Sequence, residues 1–133
     1  MAAVSRRFGR WFGVSGMAKA IDGIFSLLLL IGALLHAYGT ITGYDAGSEV
    51  FVWSMAGCLA AVLVAALNFL RRDRPGDRAV AILALTGSAA WVAIALGFGA
   101  AVGNIADPRA LWHAVVAAVL AAFSLRTLMR GRL

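Results

Sequence analysis

Two histidines occur in this chain, His36 and His113, and no other side chains are better suited to ligation or proton transfer. His36 precedes the outer end of the first long apolar segment by four residues. His113 lies a similar distance into the fourth, counted from Arg109. At about 1.5 Å of rise per residue, both sit roughly 6 Å below the same surface. If the first and fourth segments are neighbours, as in a closed four-helix bundle, the two imidazoles face each other. Opposed histidines on adjacent helices are what a six-coordinate b-type haem requires. The residues around them are small: Gly32, Ala33, Ala37 and Gly39 on one side, Ala114 and Ala117 on the other. Haem b ligated by His36 and His113, with Arg109 as a propionate partner, is therefore one expectation.

A plainer expectation is a polar cluster near the outer interface. Glu49, Asp107 and Arg109 fall at the depth of the histidines, so the group could satisfy its own hydrogen bonds and lock helix register. His36, His113 and Glu49 would also suit zinc or copper chemically. No ligand spacing of a known motif accompanies them, and no metal site is assigned. The chain offers no Ser–His–Asp set, no carboxylate pair at a shared site and no phosphate-cradling loop. Gly97-Phe98-Gly99 follows no strand and reads as helix. Cys58 is a single thiol, which excludes four-helix thiol–disulfide oxidoreductases and fits a small packing residue. An enzyme is not expected.

The elements that must position these residues are apolar blocks. Of 133 residues, 62% are apolar and 14% charged, against roughly 25% charged in a soluble domain. Mean hydropathy is +0.89. The apolar residues fall into four blocks, each near the ~20 residues that cross a bilayer. Spans are expected at about 21–40, 49–70, 78–102 and 109–129. The fold class is an all-α integral membrane protein, a four-transmembrane-helix antiparallel bundle, in one domain covering 1–133.

Charge placement sets the expected topology. Eleven of the twelve Lys and Arg residues lie near the N-terminus, in the 71–78 stretch or near the C-terminus, and Arg109 stands apart. By the positive-inside pattern both termini are expected in the cytoplasm. The same pattern places the basic face against anionic head groups rather than nucleic acid. Arg71 and Arg72 are expected to snorkel to that interface. Residues 1–16, with Arg6, Arg7 and Arg10 among Phe8, Trp11 and Phe12, are expected to lie along the membrane surface. No small-x-small cleavage site follows Ser5-Arg6-Arg7, so the first span is expected to be retained.

Local signals add detail. Lys19 and Asp22 are spaced to pair on one helical face. Pro75-Gly76-Asp77 is a turn ending in an N-cap, and Asp107-Pro108 is a second cap with proline at the first helical position. Gly99 and Gly103 have GxxxG spacing, which suits close helix packing. Asn68, Ser54, Thr86, Ser88 and Ser124 are expected to hydrogen-bond between helices. Trp53, Trp112, Tyr38 and Tyr44 fit an outer aromatic belt, whereas Trp91 is mid-span.

Three functions follow. The first is a non-catalytic accessory or assembly subunit of a larger membrane complex, or a self-associating one, in contact with the lipid bilayer. The second is a haem-binding electron carrier. The third is a small transporter, disfavoured because acids occur only near span ends (Asp22 and Glu49). The first span also lacks the embedded Glu of four-span multidrug exporters. The Arg- and Ala-rich composition is consistent with a bacterial inner membrane.

Overall fold

The computed structural model describes the backbone of residues 2–130 and the side chains of residues 16–130. It contains four α-helices in the order α1 (Ala2–Gly43), α2 (Glu49–Asp73), α3 (Arg78–Ala101) and α4 (Pro108–Arg130). Each has a stretch long and apolar enough to cross a membrane, Gly16–Gly43 in α1 and the whole of the other three. The expected surface placement of the 1–16 side chains lies outside the described residues.

Local chemistry explains where the helices begin. Ser48 accepts a hydrogen bond from the Phe51 amide at 3.2 Å and starts α2. Asp77 does the same for the Val80 amide at 3.1 Å and starts α3. Asp107 accepts from the Arg109 amide at 2.9 Å, with Pro108 as the first residue of α4. Each such cap is worth about 1 kcal/mol, since it satisfies a donor the helix cannot.

The end of α3 corrects the GxxxG expectation. Gly103 is not a packing residue on the helix. It adopts φ +72°, the left-handed conformation that ends the helix. Its amide donates to Ala100 O at 3.0 Å and the Asn104 amide to Gly99 O at 2.9 Å, the paired bonds of a Schellman cap. Gly99 alone is a site of close approach. A Cβ there would lie 3.2 Å from Ala110 Cβ and 3.2 Å from Asn104 O, so α3 and α4 touch where the turn joins them.

Consecutive helices pack side by side, and α4 also packs on α1, which closes the ring. α2 and α4 meet across the short diagonal. The core is built from Leu29, Ala33, Ala61, Val64, Ala65, Trp91, Val116, Ala117 and Leu120. Alanine at four of these nine positions lets the backbones come close. In lipid this gain is dispersion and interhelical hydrogen bonding, because hydrocarbon surrounds the outside as well. Ile24, Leu34, Leu35, Leu59, Leu63, Ile82, Leu83, Ile94 and Val115 face outward, as they should in a bilayer.

The contrast between two glycines of α3 tests this packing. Gly99→Ala should destabilise the bundle by about 1–3 kcal/mol through overpacking against backbone. Gly97 has nothing near its absent Cβ. Gly97→Ala should be neutral or stabilising by up to about 1 kcal/mol. Unfolding in mixed detergent micelles measures both, and equal effects at the two positions would contradict the described interface.

Candidate functional site

Two polar assemblies sit inside the bundle, one toward each end. At the end carrying the 44–48 and 102–107 turns, the two histidines do come together. The ring centres of His36 and His113 are 6.4 Å apart with planes at 74°. His36 is exposed, whereas His113 is partly covered. Trp91, buried in the core, donates its indole N–H to His113 Nδ1 at 3.2 Å. On the other flank His36 Nε2 lies 3.3 Å from Ser54 Oγ. Ser54 shares a 2.6 Å hydrogen bond with Thr40, which donates to His36 O at 2.9 Å. A chain of groups thus runs Thr40–Ser54–His36–His113–Trp91 across all four helices.

Glu49, Asp107 and Arg109 do not join it as expected. Glu49 is exposed and enters no side-chain hydrogen bond or ion pair among the described residues. Asp107 and Arg109 pair with each other at 2.8 Å, and the guanidinium lies 5.3 Å from the centre of the Phe98 ring. The Arg109 hydrogen bond holds the Asp107 carboxyl down to about 2. Geometry explains the split. Arg109 leans back on its own helix cap, two residues away, instead of reaching toward the imidazoles.

The pair does not fit a haem as packed. An indole N–H only donates, so His113 Nδ1 must be an acceptor and the neutral ring carries its proton on Nε2. That leaves no second lone pair for iron while the bond to Trp91 stands. A porphyrin between His36 and His113 would also have to enter between α1 and α4. There Gly32 already meets α4 directly, its absent Cβ placed 2.8 Å from Trp112 Nε1 and 3.0 Å from His113 Cε1. Among the described residues no three His, Cys, Asp or Glu side chains converge on a metal-sized site.

The opposite, basic end holds the more extensive assembly, and its centre was expected elsewhere. Arg71 does not snorkel outward. Its side chain is 2% exposed and Nη2 donates to Asp22 Oδ1 at 2.5 Å. Lys19, the expected partner of Asp22, is exposed instead. Arg71 Nη1 donates to Thr127 Oγ1 at 3.1 Å, and Nη2 and Nε reach Asn68 Oδ1 at 3.3 and 3.4 Å. Asn68 Nδ2 donates to Ser88 Oγ at 2.9 Å and to Val64 O at 2.9 Å. Ser124 Oγ donates to Asn68 Oδ1 at 3.2 Å.

At least one residue from every helix is therefore tied into a single network: Asp22 on α1, Asn68 and Arg71 on α2, Ser88 on α3, and Ser124 and Thr127 on α4. Among the described residues, no buried side-chain nitrogen or oxygen lacks a partner. Of the expected interhelical groups, Asn68, Ser88 and Ser124 join it, Ser54 bonds instead to Thr40 and His36 toward the other end, and Thr86 is exposed.

Comparison with known proteins adds nothing to this. No protein-family model, curated protein or solved structure matches the chain.

The sequence does carry a signal for this network. Asp22/Ser26, Asn68/Arg71 and Ser124/Thr127 are polar pairs three or four apart, on three helices, at one level of the bundle. Only their inward direction is needed to bring them together.

Two measurements check these assignments. Asp22→Leu or Arg71→Met alone should cost about 3 kcal/mol or more, because each strands a buried partner. The Asp22→Leu/Arg71→Met double variant should regain much of that loss. Additive costs in this double-mutant cycle would mean the pair is uncoupled. For the histidines, the purified protein incubated with haem and then freed of unbound haem should carry no Soret band. A band abolished by both His36→Ala and His113→Ala would reinstate axial ligation.

Proposed function

We propose that this chain is a small non-catalytic membrane protein, an accessory or assembly subunit that packs its helices against those of a larger complex. The observation supporting this is an outward row of small residues on α3. Ala89, Ala93, Gly97 and Ala101 recur every four residues, all are exposed, and nothing lies near the absent Cβ of Gly97. Spacing of four places them along one line of the helix. Such a row lets a second backbone approach closely in lipid, where association depends on packing rather than on hydrophobic exclusion.

The interior supports the same reading from the other direction. A transporter needs polar groups that change partners as a substrate passes. Here Asp22 is committed to Arg71, and Asn68 spends its amide on Val64, Ser88 and Ser124. Among the described residues, the polar groups fasten helices together and leave no carboxylate or cationic side chain free in the middle of the bundle. The bacterial inner membrane, with the basic end toward the cytoplasm, is the setting in which the charge distribution fits best.

The row can be blocked without touching the core. Ala93→Leu combined with Gly97→Leu should leave the unfolding midpoint of the isolated protein within a few degrees. Under mild detergent the same variant should shift from the wild-type assembly to the smaller species on native gels. An assembly of unchanged size and yield in the double variant would contradict the role assigned to this face.

A further inference from the structure

The basic end of the bundle contains a cavity of about 280 Å³ that the buried network closes off from below. Its walls come from three helices: Ala18, Lys19 and Asp22 of α1, Arg71 and Arg72 of α2, and Phe123, Arg126, Thr127 and Arg130 of α4. Pro75 of the turn completes it. Five cationic side chains surround it and Asp22 is the one carboxylate in its lining. Asp22 is already paired with Arg71. Arg72 is partly compensated by Asp73 at 3.1 Å and lies over the Phe69 ring at 5.3 Å. Among the described residues, Lys19, Arg126 and Arg130 enter no ion pair at all. Three cations on two helices, each without an ion pair among the described residues, therefore converge on one concave site.

Like charges gathered around one cavity repel, and an anion between them would relieve that repulsion. We infer that the cavity binds a phosphate group, with Lys19, Arg126 and Arg130 as its charged rim and Arg71 and Thr127 as its floor. Guanidinium groups suit this chemistry because their planar donors match two phosphate oxygens at once. Arg71 closes the floor with its donors already engaged by Asp22, Asn68 and Thr127, so the hydrogen bonds to the phosphate come from the rim cations. The volume is small for a whole metabolite, as ligand pockets usually run from about 300 Å³ upward, and matches a head group. Met17, Ile21, Leu125 and Met129 are exposed apolar residues at the same level of α1 and α4. They would take the acyl chains of a phospholipid whose phosphate sits in the cavity. Basic pockets between membrane helices commonly hold anionic lipids in this way.

The phosphate could equally arrive free in solution, and one experiment separates the two sources. Detergent-purified protein is melted with phosphatidylglycerol, with phosphatidylcholine, or with inorganic phosphate at matched ionic strength. The Lys19→Gln/Arg126→Gln/Arg130→Gln variant is treated identically. These side chains lie at the rim, outside the buried network apart from their shared cavity, so the variant should fold. A midpoint raised by on the order of 5 °C with phosphatidylglycerol alone, and lost in the variant, identifies a lipid head group. A rise with inorganic phosphate that the variant loses identifies a soluble ligand. Native mass spectrometry should show lipid affinity falling roughly a hundredfold in the triple variant, at about fivefold per cation. No rise with either anion, or a rise the variant retains in full, overturns the site.

Discussion

A guanidinium cannot be left alone in a low-dielectric interior, and the basic half of this bundle is arranged around that fact. Arg71 is almost fully enclosed. An isolated charge there would cost several kcal/mol or more, so every direction in which it donates must be answered. Asp22 supplies the opposite charge, and Asn68 and Thr127 take the remaining hydrogen bonds. Asn68 must then satisfy its own amide, which draws in Ser88 and Ser124. The need spreads outward from one ion until each helix has contributed. Such a network adds little net stability over a well-packed apolar core, but it rejects other helix arrangements, because any of them strands a polar group.

The two ends of the molecule solve different problems. Toward the basic end, charge is neutralised inside and concentrated around a cavity at the rim. Toward the other, the groups that link the helices are hydroxyls, an indole and two imidazoles joined in sequence, and the Asp107–Arg109 pair stays within its own helix start. Helix contacts there rely on small residues such as Ala33 and Ala114 rather than on ions. The outward α3 row of Ala89, Ala93, Gly97 and Ala101 runs along that less constrained half, where a neighbour could settle without competing with the ion pair.

How much of this was legible depended on range. Helix starts were readable because their causes are local: Ser48, Asp77 and Asp107-Pro108 act within three residues of themselves. The four apolar blocks were readable because lipid leaves so few alternatives. The proximity of His36 and His113 followed from equal depth and ring closure. What could not be read was direction. Arg71 sits at a span end, where pointing outward into the head groups and pointing inward to a partner 49 residues away look identical in sequence. Asp22 likewise had a local candidate in Lys19 and a distant one in Arg71, and burial chose the distant one. Gly103 was misplaced for the opposite reason. Its spacing from Gly99 suggested packing, while its position just before Asn104 at a helix end was the stronger local signal for a cap.

Three of the four neighbouring helix pairs are joined by a turn, but the first and last helices meet with no chain between them. Their axial alignment must come from side chains alone. At Gly32 the indole of Trp112 and the ring of His113 occupy the volume that any other residue would fill. Sliding α1 by one position would bring Ile31 or Ala33 to that notch and drive a Cβ into both rings. A single missing methyl thus acts as the keyway that sets where the ring of helices shuts.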